Sequence, residues 1–137
     1  MINNLLPNEI ELFYNFLYYY ENHIKKYSTN KSLGSLSAQF KETTNNQSIN
    51  VKKTSKTEID SQSLQSNNVF VTGNESVMLC FARHLRNSIA HCLVEKKGTD
   101  FYLKDYSGIH LSMIGELAKD SLLAIIELFI NHFKPAQ

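Results

Sequence analysis

Apolar residues recur at spacings of three and four in three stretches of this chain and alternate in a fourth. A long polar tract separates the first two helical stretches. From Pro7 to about Lys26, Ile10, Phe13, Leu17, Tyr20 and Ile24 draw one stripe, while Leu12, Phe16, Tyr19 and His23 draw a second. That spacing predicts a helix. Pro7 suits the first turn, and Glu9 and Glu11 favour the positive end of the helix dipole. Two stripes imply burial on two sides, once in the core and once against another surface, for which a dimer partner is a candidate. From Ser28 to Thr72 the composition turns to Ser, Thr, Asn, Gln and Lys. A short helix near Leu33 to Glu42 is one reading there, and the remainder reads as a long, mobile polar loop within 28–72.

Gly73-Asn74 opens the second helix, with Asn74 as N-cap and Glu75 on the first turn. Met78, Phe81, Leu85, Ile89 and Cys92 form its apolar seam. At about 100° per residue, Arg83, Asn87, Ala90 and His91 fall on the opposite face, with Arg86 on its flank. Downstream, Phe101 to Asp105 and Ile109 to Met113 alternate around Tyr106-Ser107-Gly108. This predicts a hairpin with Phe101, Leu103, Ile109, Leu111 and Met113 inward. A helix starting as early as Leu111 is the alternative, and Gly115 argues against it. Asp120 then caps a last helix with the seam Leu122 or Leu123, Ile126, Phe129, Ile130 and Phe133, ended by Pro135. The expected fold is all-α in the main, a bundle of three to four helices with a small β-hairpin before the last, in one domain over 1–137.

Composition narrows the function classes. A length of 137 residues with 42% hydrophobic and 20% charged positions is that of an ordinary globular domain. A net charge of +1 excludes a global basic field, so any attraction for phosphate must be local. The window from Arg83 to Lys97 supplies it, with Arg83, Arg86, Lys96 and Lys97 against Glu95 alone and His84 and His91 able to charge. Cys80 and Cys92 lie on the same predicted helix, roughly 18 Å apart and beyond disulfide reach. They read as small buried hydrophobes in a reducing compartment. No metal-ligand spacing occurs, so no metal or other cofactor is expected. No secretory signal is visible, and the apolar tract Leu122 to Phe133 is too short for a bilayer and contains Glu127. A cytoplasmic protein without membrane contact is expected.

The most chemically specific stretch is Arg86-Asn87-Ser88-Ile89-Ala90-His91. Metal-free RNA cleavage needs a base for the 2′-hydroxyl proton and a cation for the charge that builds on phosphate. Histidine and arginine are the right types. Five residues of separation rotate Arg86 and His91 by roughly 140° on one straight helix, so they do not share a face. Asn87 and His91 do share one, and Asn87 could hold the imidazole in one tautomer. A twofold dimer packing the two motif helices together would unite the arginines and histidines in one cleft, with small Ala90 permitting close approach.

Together with the preceding Phe81-Ala82-Arg83-His84-Leu85, this stretch resembles the R-x4-H signature of the HEPN family. Phe101-Tyr102-Leu103-Lys104-Asp105 and the later Met113-Ile114-Gly115 also look like the segment downstream of the motif in small bacterial members. The resemblance implies a helical bundle and a homodimer with the motif at its interface. It further implies a metal-independent endoribonuclease that leaves a 2′,3′-cyclic phosphate, with Arg86 and His91 as catalytic residues and Asn87 as their organiser. Such proteins serve as toxins or phage-defence effectors, so RNA and an antitoxin or other protein are the expected partners. Arg83, His84, Lys96 and Lys97 are the candidate RNA-binding residues. Other family members are inactive dimeric modules that bind RNA, nucleotide or protein, which is the competing reading. An accessory protein that engages an enzyme made elsewhere is a third.

Blander readings stand beside these. Arg86 and His91 also fit a solvated face near a helix C-terminus, where the dipole favours cations. Arg83 and His84 read as surface residues by default, and His23, His110 and His132 have no partner cluster in the sequence. Tyr18-Tyr19-Tyr20 has the spacing of packing residues more than of base-stacking ones. Lys52, Lys53 and Lys56 read as a solvated loop cluster, with phosphate binding as the lesser alternative.

Overall fold

The computed structural model describes residues 5–27 and 33–134. Helix α1 (Pro7–Tyr19) starts with its proline in the first turn, where the missing N–H costs nothing. Glu9 reaches back to accept the Leu6 N–H at 2.9 Å. One π-type turn, Tyr20–Ile24, continues the helix. Next along the chain come α2 (Gly34–Asn46), β1 (Asn50–Lys53), β2 (Asn68–Val71), α3 (Val77–Ala90), β3 (Glu95–Lys97), β4 (Asp100–Ser107), β5 (His110–Ala118) and α4 (Lys119–Phe133). The strands form a single sheet in the order β1-β2-β5-β4-β3. Strands β1 and β2 run parallel, and each of the other pairs is antiparallel.

The expected all-α bundle with a small hairpin does not form. A five-stranded mixed sheet stands where only the hairpin was anticipated. The tract expected as a polar loop at about 28–72 carries α2, β1 and β2. The cause is physical. Strand β1 reads Asn-Val-Lys-Lys, an exposed edge whose lysines discourage pairing with other chains, and β2 is only Asn-Val-Phe-Val. Four residues carry too little alternation to declare a strand; β2 finds its partner in the long β5, about 45 positions away in sequence, and β1 pairs with β2 in turn. The short helix read near Leu33 to Glu42 is real and longer, because Phe40 packs between Phe81 and Phe129, each at 6.0 Å between ring centroids.

The helices pack on the sheet through Val69, Val71, Phe101, Leu103, Met113 and Leu117, all fully buried. Phe13 meets Phe101 edge-on at 5.7 Å, which seats α1 over β4, and Phe16 meets Phe129 at the same distance, which ties α1 to α4. The second stripe of α1 is also used within the chain: Phe16 is buried and His23 stacks on Phe133 at 5.1 Å. Tyr14 and Tyr18 are the large apolar side chains that α1 leaves in solvent.

The hairpin is longer than predicted. A bulge between Asp105 and Tyr106 shifts its register, which leaves Ile109 at the tip 90% exposed and Leu111 half-buried instead of inward. Helix α4 begins at Lys119 with Ala118 as N-cap, so Asp120 lies inside the first turn and does not cap it. Pro135 lies outside the described residues. Among the described residues, no helix is long and apolar enough to cross a membrane.

Gly115 explains how β2 and β5 can lie together. A Cβ there would stand 2.7 Å from Val69 Cγ2 and 3.0 Å from Val69 Cα. Gly115→Ala should therefore cost about 1–3 kcal/mol, the usual scale of overpacking. Urea unfolding of the two proteins measures it, and equal midpoints would show that the sheet yields there.

Candidate functional site

Helix α3 is nearly surrounded by protein. Met78, Phe81, Leu85 and Ile89 are buried as their spacing predicts, and so are Leu79, Cys80, Ala82, His84 and Ser88. Arg83, Arg86 and Asn87 form the narrow polar strip that remains at half-burial. Its N-cap is Ser76, whose Oγ accepts the Leu79 N–H at 3.4 Å, in place of the expected Asn74. Glu75 thus lies before the helix, and its carboxylate takes Arg83 through both Nε and Nη2. That contact holds the Glu75 carboxyl below its ordinary range and raises Arg83 further.

At its other end, α3 closes on His91, the C-cap, with Cys92 after it in the left-handed region at φ 58°. The Cys92 N–H donates to the Ile89 carbonyl at 3.1 Å and the Leu93 N–H to the Ser88 carbonyl at 2.7 Å, which is a Schellman cap. Cys92 is consequently exposed and leaves the seam, correcting its expected burial; Cys80 is buried as expected. His91 is exposed at the helix end.

The centre of the polar strip is His84, expected at the surface but only 2% exposed. Its Nδ1 lies 2.7 Å from Asp105 Oδ2 and its Nε2 lies 2.6 Å from the Thr72 carbonyl oxygen. Neither partner has a proton to give, so both bonds form together only when both ring nitrogens carry hydrogen. His84 is thus held between Asp105 and the Thr72 carbonyl in the interior. Arg83 Nη2, 3.4 Å from His84 Nε2, is directed at the same carbonyl at 3.5 Å.

Asp105 collects two further donors, Asn87 Nδ2 at 3.1 Å and the Tyr106 N–H at 2.9 Å. Burial would raise its pKa, but the hydrogen bonds from His84 and Asn87 and the electrostatic attraction of the His84 ring outweigh it, and the carboxyl is held below its ordinary range. Because Asp105 only accepts, Asn87 must turn its amide nitrogen to Asp105 and its oxygen outward. That oxygen accepts from Arg86 Nη1 at 3.1 Å. Arg86 Nε in turn donates to Glu21 Oε1 at 2.7 Å. The π-type turn carries Glu21, so this local irregularity of the first helix lies at the motif. A continuous chain of hydrogen bonds thus runs from the Thr72 carbonyl through His84, Asp105, Asn87 and Arg86 to Glu21.

Of the sequence-predicted residues, the structure brings together Arg83, His84, Arg86 and Asn87. His91 stands apart at the end of the same helix. Lys96 is elsewhere and buried: its ammonium donates to both oxygens of the fully buried Glu9, at 2.9 and 3.0 Å, and Lys119 lies 3.4 Å from the same carboxylate. An RNA contact by Lys96 is thereby corrected to an internal ion pair that ties α1, β3 and α4 together. Lys97 is exposed, 3.9 Å from Glu95 and over the Tyr102 ring. Sequence reading missed Glu21, Glu75, Thr72 and Asp105. Asp105 alone left a signal, since it continues the inward alternation of Phe101 and Leu103 with a carboxylate.

Two hollows flank the strip and share Glu75, Arg83 and Asn87. One, of about 250 Å³, holds Arg86 beside Tyr20 and Tyr27. The other, of about 630 Å³, lies between the β1–β2 connection, the loop before α3 and the β4–β5 hairpin. Among the described residues, no three His, Cys, Asp or Glu side chains converge as a set of metal ligands.

The chain belongs to the HEPN pEK499 p136 family, whose model matches residues 5–134. No curated protein and no solved structure matches it.

Proposed function

We propose that this protein is a metal-independent endoribonuclease acting as a homodimer, with Arg86 of one subunit and His91 of the other at each cleavage point. The observation that carries this reading is the fixed amide of Asn87, which holds Arg86 Nη1 at 3.1 Å while His91 stands exposed at the end of the same helix. Five residues of helix put the two side chains about 7.5 Å apart along the axis and roughly 140° apart around it, so a second copy completes the pair. His91 takes the proton of an RNA 2′-hydroxyl. The freed oxygen attacks the adjacent phosphorus, the bond to the 5′-oxygen breaks, and that oxygen leaves as a hydroxyl after gaining a proton from solvent. The products are a 2′,3′-cyclic phosphate and a 5′-hydroxyl end. Arg86 offers a planar fork to the charge that accumulates on the phosphate oxygens. A toxin or phage-defence effector, held by an antitoxin or other protein partner, is the setting that suits such an activity.

One observation favours the inactive binding-module reading: the Arg86 guanidinium is already engaged by Glu21. The two readings part in one experiment. Purified protein incubated with total RNA in excess EDTA should cut it and leave ends that carry cyclic phosphate. Cutting that vanishes in EDTA and returns with magnesium overturns the mechanism, and no cutting under either condition favours the binding module.

A further inference from the structure

We propose that the 630 Å³ cleft beside the motif is a subsite for single-stranded RNA, seating the nucleotide next to the one that is cut. The inference rests on the ribonuclease reading and names the part of the substrate that the motif itself does not hold. Its volume falls in the range of small-ligand sites, and its lining is chiefly polar. Asn87 and Arg83 form the wall between it and the hollow of Arg86, so a strand lying in the cleft continues directly to the motif.

The charges in the cleft favour phosphate once their pairings are counted. Glu75 is taken up by Arg83 and Asp105 by His84, which leaves Lys56 on the rim without an ion pair among the described residues. Arg83 gives Nε and Nη2 to its partners, and its Nη1 makes no hydrogen bond among the described residues. The fold therefore carries one lysine of the cluster near β1, which the sequence presents as a solvated loop, to the edge of the motif helix. Tyr106, from the β4–β5 hairpin, also lines the cleft and is 44% exposed, an aromatic ring of the kind on which bases stack. The Ser112 hydroxyl, in a residue 4% exposed that helps to line the cleft, has no hydrogen-bond partner among the described residues. A buried hydroxyl without a partner costs free energy that an entering ligand group would recover.

The probe is a fluorescent single-stranded RNA of eight nucleotides, titrated in EDTA onto His91→Ala protein so that binding is read without cleavage. Adding Tyr106→Ala should weaken binding roughly tenfold, the scale of one lost base stack. Adding Lys56→Ala should weaken it about threefold or more and lower the slope of log affinity against log salt by about 1. Lys97→Ala is measured beside them as the RNA contact that the sequence proposes, and Lys41→Ala, at an exposed position of α2, serves as the control that should change little. Both side chains are exposed, so neither change threatens the fold. Unchanged affinity in the Lys56 and Tyr106 variants overturns the subsite, as does a loss confined to Lys97→Ala. Competition by 5′-AMP at the affinity of the oligonucleotide would make the cleft a mononucleotide site and likewise overturn it. Binding that behaves as expected, in a protein whose wild type cuts no RNA, would leave the subsite standing while the ribonuclease reading fails.

Discussion

Asp105→Ala is expected to destabilise the protein by about 3–5 kcal/mol, the cost of stripping one partner from a buried ion pair. Both side chains of the His84–Asp105 pair are 2% exposed, so solvent does not replace the lost carboxylate. The change removes at once the partner of the His84 Nδ1, of the Asn87 amide nitrogen and of the Tyr106 N–H. Urea unfolding at neutral pH reads the effect, and a loss under about 1 kcal/mol would show that the two groups are not an internal charge pair. The pH dependence has a definite sign. The folded state holds Asp105 below its ordinary range, so its contribution is complete above the unfolded value of about 3.9 and is lost as pH falls through the lowered folded value. The gap between wild type and Asp105→Ala should accordingly close under acid. Glu9, Glu21 and Glu75 are depressed in the same direction, so the variant keeps part of the acid sensitivity.

An element is legible in the sequence in proportion to the length over which its pattern persists. Helices α1, α3 and α4 run 13, 14 and 15 residues, enough turns for their stripes to stand out. The β4–β5 hairpin announced itself by alternation around a glycine turn. Strands β1 and β2 did not, because each has four residues, β1 leans on β2, and β2 draws its stability from β5 far along the chain. The same division holds at the site. Arg86, Asn87 and His91 form a local motif and could be read directly. The groups that fix Arg86 and Asn87, Glu21 and Asp105, come from the first helix and from β4 and meet them only on folding. His84 was misplaced for a related reason. Its neighbours Arg83 and Arg86 suggest a wet face, whereas the inward carboxylate of β4 gives its ring a hydrogen-bond partner in the interior.

Arg86→Ala and His91→Ala should each lower the rate of RNA cleavage by at least about a hundredfold, the scale for losing an oxyanion stabiliser or a general base. Neither side chain belongs to the apolar core, so unfolding midpoints should move far less than in Asp105→Ala. A rate that falls only in step with stability would assign the motif a structural role. The decisive arm is the mixture of the two variants. If each cleavage point takes Arg86 from one subunit and His91 from the other, a mixed dimer keeps one intact point, formed by the arginine of the His91→Ala subunit and the histidine of the Arg86→Ala subunit. With random exchange half of the dimers are mixed, so about a quarter of the wild-type rate should return. A site contained within one subunit has no intact copy in any such dimer, and mixing would then recover nothing. Sedimentation of both variants as dimers secures the comparison, since failure to recover means a self-contained site only where the subunits still associate.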